Sequence, residues 1–323
     1  MKTLISHEDI IVEEDKYPMT ITFKNGSMDK FLTYYEENKE VIEDRLMNVG
    51  AIHVVGINID DVDKFGSLMK KLCPKAPAFL DGNSSRGKYS SNVYNASEYD
   101  EASIVRLHTE FSYSNLYPKK IFFCCQTPAT TGGETTVGDC KKALELLKPE
   151  VVEAFEKKGI TYIRNLHSGA GLGPSWQEAF ETEDKASMEA YCKENGIEVD
   201  WKKDGIVRLT QHRPAIRKHP ITGDRLWFNQ VDQFYPAAMY EEEIYDTLLL
   251  MNGGEEDALP MFSRFADGTE IKKEYIENII QVLDDITIPV PWQKGDLLMV
   301  DNMTALHGRL PFTGDRSILA SMG

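Results

Sequence analysis

His108 and Glu110 stand two residues apart in Arg106-Leu107-His108-Thr109-Glu110, at the end of a short apolar stretch that reads as a strand. Along a strand, residues i and i+2 point to the same face, so an imidazole and a carboxylate can aim at one point while Thr109 turns away. Such a pair supplies two of the three groups of a 2-His-1-carboxylate facial site, which binds Fe(II) and leaves coordination positions open. A His-x-Glu alone recurs by accident, so its weight depends on a further ligand elsewhere in the chain. Near the C-terminus the strand-like Asp296-Leu297-Leu298-Met299-Val300 delivers the chain into a polar turn, Asp301-Asn302-Met303-Thr304, and His307 follows. Beyond it, Asp315-Arg316 leads into the apolar Ile318-Leu319-Ala320. A basic residue at the start of that last strand can face the same cavity as His307, where a guanidinium would grip a carboxylate in bidentate fashion. Arg309 follows His307 closely and is read as pinning the turn through an ion pair.

These residues need a scaffold. Ser27 stands as an N-cap before an apolar face that begins with Phe31, Tyr34 and Tyr35, and Gly50 supplies a stop, which predicts a helix over 28–48. Residues 51–55 (AIHVV) read as a strand and 61–72 as a second amphipathic helix. The stretch 81–99, rich in Gly, Ser and Asn, reads as a long loop, and long loops in compact domains tend to be functional. Residues 104–107 and 121–126 (IFFCCQ) have the look of buried strands. Helices are expected at 141–157, with Pro149 starting a second one. Short strands at 161–165, 206–210 and 225–229 then alternate with helices at 176–181, 185–195 and 241–251. A further helix at 272–284 precedes strands at 296–300 and 317–322. Strands at both ends with helices inserted between predict a mainly β fold, a β-sandwich core flanked by α-helices. The domain reading is one domain over 1–323, with an N-terminal helical extension at 1–50 and a helix-rich insertion at 160–285. A parallel nucleotide-binding fold finds no support, because neither G-x-G-x-x-G after a strand nor a P-loop occurs, and GAGLG at 169–173 reads as a flexible loop.

Composition narrows the function. Lys and Arg number 36 against 52 Asp and Glu, a net charge of −16 that argues against nucleic-acid binding. No run of about 18 apolar residues is present to span a membrane, and the acidic start is unlike a signal peptide. Five cysteines (Cys73, Cys124, Cys125, Cys140, Cys192) without framework spacing fit a reduced, cytoplasmic protein. Nothing in the sequence specifies an oligomeric state.

Four stretches together carry a family resemblance. They are Asn92-Val93-Tyr94-Asn95 and Glu98-Tyr99 leading into His108–Tyr113; Pro118 and Phe122-Phe123-Cys124 with Gly132-Gly133-Glu134-Thr135-Thr136; Arg213-Pro214-Ala215, His219-Pro220, Thr222-Gly223 and Trp227-Phe228-Asn229-Gln230; and Trp292, Gly295-Asp296, Asp301-Asn302, His307-Gly308-Arg309, Pro311-Phe312, Gly314 and Arg316. From about residue 50 to the end the chain resembles the Fe(II)/2-oxoglutarate-dependent dioxygenases of the TauD/TfdA type, and is similar to their clavaminate-synthase-like and SyrP-like branch. The resemblance implies a double-stranded β-helix, or jelly roll. It implies that His108, Glu110 and His307 bind Fe(II), that Arg316 holds the distal carboxylate of 2-oxoglutarate, and that Thr135 hydrogen-bonds the same cosubstrate. Many relatives carry Asp where this chain has Glu110, but clavaminate-synthase-like members use Glu. Halogenating relatives have Ala or Gly there, so Glu110 speaks for oxygen transfer. The implied reaction consumes O2 and 2-oxoglutarate, releases succinate and CO2, and oxidises an unactivated C–H bond. Its substrate would be a small polar molecule, an amino acid or derivative, free or presented on a carrier protein, in specialised-metabolite biosynthesis. The catabolic alternative is hydroxylation next to a heteroatom that cleaves a sulfonate, ether or amine, and the different-class alternative is a non-enzymatic jelly-roll binding protein.

Substrate contacts are expected from Asn229, Gln233, Asn92 and Arg208, with Gln230, Arg213 and Arg217 beside them. Ser90, Asn92 and Tyr94 are read as part of a lid. Asn229 and its amide neighbours can equally satisfy loop backbone groups, and arginines are more often surface or ion-paired residues. His167, His212 and His219 lack a strand-spaced carboxylate and are read as structural.

Overall fold

The run Ile121-Phe122-Phe123-Cys124-Cys125 is apolar on both faces because both are covered. It lies in the Lys120–Thr127 strand of a computed structural model that describes residues 3–74, 80–82, 88–90, 93–96 and 99–323. Phe122 and Cys124 face outward into a cluster with Phe31, Tyr34, Leu46, Phe65 and Leu68, from helices Met28–Val49 and Val62–Leu72. Ile121, Phe123 and Cys125 face inward against Val137, Val290, Ala305 and Ile318. The period-2 alternation of a strand sorts these residues into two layers. Leu297–Asp301 repeats the pattern, with Leu297 and Met299 outward and Leu298 and Val300 inward.

The major sheet has eight strands, in the order Ile10–Glu13, Met19–Phe23, Ala51–Val55, Leu297–Asp301, Lys120–Thr127, Ser317–Met322, Val93–Asn95 and Lys88–Ser90. The minor sheet has four, in the order Ile288–Val290, Thr135–Asp139, Ala305–Arg309 and Val105–His108. The two sheets face one another across the inner cluster as the jelly roll expected. Both predicted caps form: Ser27 Oγ accepts from Lys30 N, and Gly50 ends the first helix at φ +88°, a conformation that favours glycine.

Three features differ from the sequence reading. The first fifty residues hold two strands as well as the helix; Ile10–Glu13 and Met19–Phe23 extend the major sheet, the second pairing parallel with Ala51–Val55. Within 81–99, Lys88–Ser90 and Val93–Asn95 are strands that pair with each other, and Val93–Asn95 also pairs with Ser317–Met322. Asn92 and Glu98 lie outside the described residues, as does the side chain of Ser90. The 160–285 segment carries its own antiparallel sheet, ordered Glu198–Trp201, Val207–Arg213, Ile160–Leu166 and Met261–Phe265. One face of it is covered by helices Trp176–Phe180 and Lys185–Glu194 through Trp176, Phe180, Met188 and Cys192. Its other face joins a large cluster in which Tyr162, Phe234 and Phe265 meet Leu107 and Leu306 of the minor sheet and Ile276, Ile279 and Leu283 of helix Lys273–Asp285. No described helix is long and apolar enough to cross a membrane.

Candidate metal centre and cosubstrate pocket

His108 and His307 are 199 positions apart in sequence yet sit directly opposite each other in the minor sheet. Opposed residues of an antiparallel pair share a face, and the two rings lie 4.3 Å apart between centroids. Glu110 completes the group: its Oε2 is 3.6 Å from His108 Nε2 and 3.5 Å from His307 Nε2. One ligand atom from each residue falls within 4.8 Å of the other two. The convergence has a different local cause from simple strand alternation, because the strand ends at His108. Glu110 lies in the turn beyond, followed by Phe111 at φ +56°, a left-handed conformation costly for a bulky residue. Asn302, fully buried, clamps that turn: Glu110 N donates to its Oδ1 at 2.7 Å, while its Nδ2 donates to the carbonyls of Glu110 at 2.9 Å and Pro118 at 2.8 Å.

The donor set fits a divalent iron. His108 Nδ1 is 2.9 Å from the Arg106 carbonyl, which fixes the tautomer and leaves Nε2 facing the other two groups. Burial opposes a charge on His108, but the hydrogen bond and charge of Glu110 and the Arg106 carbonyl outweigh it and raise the imidazole's pKa. A bound cation would take the place of that proton.

Arg316 approaches from the opposite sheet, one residue before Ser317–Met322, and its Nε donates to the Gly133 carbonyl at 2.8 Å. Gly133, at φ +72°, allows the approach, since a Cβ there would stand 3.0 Å from Arg316 Cδ. Burial, with Arg309 alongside, lowers Arg316 to about 10, so it stays cationic at neutral pH. Thr135 lines the same pocket, and its Oγ1 accepts from Trp292 Nε1 at 3.1 Å, which leaves its own O–H to donate elsewhere. The pocket is lined by the three converging residues, Thr135, Arg316, Gln230 and Gln233, a few polar groups converging in a concave site.

Other sequence candidates separate here. Gln233 and Gln230 reach the pocket, Gln230 Nε2 donating to Gln233 Oε1 at 3.1 Å. Asn229 does not; it is buried, donates to the Ala215 carbonyl at 2.9 Å and accepts from Val231 N at 3.1 Å, so it satisfies loop backbone. Arg208 is likewise spent elsewhere, paired with Asp257 at 3.1 Å and bonded to Asn165. Arg213 bonds to Gln211, and Arg217 lies over the rings of Tyr117 and Phe228. Arg309 holds its turn through the carbonyls of Tyr99, Asp100 and Ser103 rather than through an ion pair. His219 orders its turn by accepting from Ile221 N and Thr222 N. Sequence reasoning gave no role to Asn302 or Asp232. Asp232 is 5 % exposed, and burial pushes its carboxyl up to about 6. The Asp301-Asn302 pair closing a strand was the one available signal for Asn302.

Residues 17–322 match the model of the taurine catabolism dioxygenase TauD, TfdA family. The chain belongs to that family. It is therefore a non-haem iron, 2-oxoglutarate-dependent dioxygenase acting on a small molecule, and the non-enzymatic alternative drops out. It is 33 % identical over 304 residues to the dapdiamide synthesis protein DdaC of Enterobacter agglomerans, covering 94 % of this chain and 89 % of that one. A clavaminate synthase-like protein of Arabidopsis thaliana is 25 % identical over 304 residues, covering 92 % and 88 %. Among solved structures, PvcB of Pseudomonas aeruginosa superposes with a TM-score of 0.54 at 12 % identity, covering 100 % of this chain and 94 % of that one. AAD-2 in complex with Mn(II) and N-oxalylglycine gives 0.56 at 12 %, covering 97 % and 96 %. Both structural likenesses speak to the fold.

Proposed function

We propose that this dioxygenase hydroxylates an amino acid or amino-acid derivative in specialised-metabolite biosynthesis, with His108, Glu110 and His307 holding Fe(II) and Arg316 and Thr135 holding 2-oxoglutarate. The observation that carries the reading is the meeting of two imidazoles, one carboxylate and one buried guanidinium in a single pocket. When bound, iron and 2-oxoglutarate activate O2 and supply the oxidising power, releasing succinate and CO2. The chain's part is placement. Arg316 offers a charged fork to the distal carboxylate, and the neighbouring Arg309 charge makes that end of the pocket attractive to a dianion. Thr135, held by Trp292, directs a hydroxyl donor to the same carboxylate. Phe123, Ile121 and Ala320 wall the pocket with apolar surface that keeps water from the reacting centre. Gln230 and Gln233 present amide donors and acceptors to a polar substrate.

The biosynthetic reading is supported by DdaC, a dapdiamide synthesis protein, and by PvcB, an oxygenase from an isonitrile synthetic pathway. All five cysteines are free thiols, which supports the cytoplasmic reading. The test is mass spectrometry of anaerobically iron-loaded protein given 2-oxoglutarate, O2 and a panel of amino acids, free and as carrier-bound thioesters. One member should gain an oxygen atom. Brisk succinate formation with no amino acid oxidised, together with sulfite release from a sulfonate, would replace this reading by the catabolic one.

A further inference from the structure

A second cavity adjoins the first and shares Tyr99, Val105 and Gln233 with it. Its charged lining consists of one acid, Asp232, and one base, Arg106. Arg106 precedes His108 by two residues on the minor-sheet strand, and Asp232 stands in the short turn Asp232–Phe234 of the 160–285 segment. The charges of Arg106 and His108 are both felt at Asp232, whose carboxylate also accepts from its own N–H and that of Gln233; among the described residues neither Asp232 nor Arg106 forms an ion pair. Two backbone N–H groups do not replace a counter-ion: a buried carboxylate without one is costly, and folded chains pair it or place it where a ligand does so. Two opposite charges lining one cavity without joining leave an ammonium acceptor and a carboxylate donor set within one ligand's reach.

We propose that Asp232 and Arg106 form a headgroup subsite for a free α-amino acid, Asp232 receiving the ammonium and Arg106 the carboxylate. This rests on the reading of the neighbouring pocket as the oxidising centre, and it names the substrate class. The headgroup sits beside that centre, so the side chain reaches over Gln233 towards His108, Glu110 and His307, and oxidation falls on a side-chain carbon. A thioester-tethered aminoacyl group has no carboxylate for Arg106, so the subsite selects the free amino acid over the carrier-bound form. An aminosulfonate shares the ammonium-plus-oxyanion chemistry with a longer spacing between the charges, and the test separates the two.

The experiment is calorimetric binding to the Mn(II)- and 2-oxoglutarate-loaded enzyme under nitrogen. The ligands are the free L-amino acids, taurine, and the N-acetyl, C-amide and pantetheine-thioester derivatives of the best binder. Wild-type protein should bind one free amino acid at least tenfold more tightly than either its N-acetyl or its C-amide form. In Asp232→Asn the N-acetyl gap should close while the C-amide gap persists, and Arg106→Gln should show the reverse, a crossed pattern that loss of structure would not produce. The proposal is overturned if taurine or the thioester binds more tightly than every free amino acid, or if both gaps survive in both variants. Succinate formation by wild-type enzyme is scored separately: its absence counts against the oxidising centre, whereas its presence with a failed binding pattern counts against the subsite alone.

Discussion

Asn302 shows how much of a metal site lies in residues that never touch the metal. Its amide satisfies the Glu110 N–H, the Glu110 carbonyl and the Pro118 carbonyl at once, so it fixes where the carboxylate can point. Asn302→Ala strands those buried groups, and chemical denaturation should show a loss of about 2–4 kcal/mol. Metal affinity, followed by Mn(II) titration, should fall roughly 10–100-fold, as for other residues that orient ligands. Unchanged affinity would separate Asn302 from the centre. Asp232 behaves in the opposite sense. Its carboxyl is raised from 3.8 to about 6 by burial, so the folded protein holds a proton that the unfolded chain releases. Its contribution to stability is therefore complete below about pH 4 and is lost as pH rises through about 6. Asp232→Asn should stabilise the metal-free, substrate-free protein at pH 7, by on the order of 2–3 kcal/mol, and flatten that part of its stability–pH curve. A lower melting temperature at pH 7 would contradict it. A stability gain from removing a buried charge is what a ligand-binding group costs the empty protein.

At the scale of elements, register does the positioning. The pairing of His307 with His108 on one side and Val137 on the other brings Thr135 and both histidines onto one face. Gly308 permits the close approach of these strands, since a Cβ there would stand 2.3 Å from the Val105 carbonyl and 2.8 Å from Thr136 Oγ1. Gly308→Ala should therefore cost about 1–3 kcal/mol by overpacking and weaken metal binding with it, read by thermal unfolding and Mn(II) titration; a neutral substitution would show that the strands can give. The helices were legible because Ser27, Asp61 and Pro149 announce their starts and their apolar faces repeat at helical spacing. The central strands were legible because IFFCCQ and DLLMV are too short and too apolar for anything else. The short strands Lys88–Ser90, Val93–Asn95 and Ile216–Lys218 were not, since three residues carry no periodicity and take their conformation from the partner strand. The amide candidates divided for a related reason: sequence places Asn229 and Gln233 in one loop, but only the folded turn decides that Asn229 faces backbone and Gln233 the cavity.

Across the whole molecule, the site belongs to no single segment. Iron ligands would come from the minor sheet and the turn that follows His108, the carboxylate clamp from the start of a major-sheet strand, and the polar wall from the 160–285 segment, so assembly of the jelly roll and assembly of the pocket are one event. Long-range pairing of this kind leaves its mark in sequence only as ordered, distant motifs, which is why His307 and Arg316 were found through their company and Asp232 was missed. The N-terminal strands belong to the same unit: Met19, Ile21 and Phe23 are buried. Deleting residues 3–24 should uncover the Ala51–Val55 edge and its apolar neighbours and give an aggregating protein in size-exclusion chromatography; a monodisperse, metal-binding product would make those strands dispensable. The central claim is tested most directly by an anomalous-scattering crystal structure of the protein grown anaerobically with Mn(II) and 2-oxoglutarate. The account predicts one manganese peak ligated by His108 Nε2, the Glu110 carboxylate and His307 Nε2, with the cosubstrate's far carboxylate on Arg316. A peak elsewhere, or a cosubstrate turned away from Arg316, would contradict it.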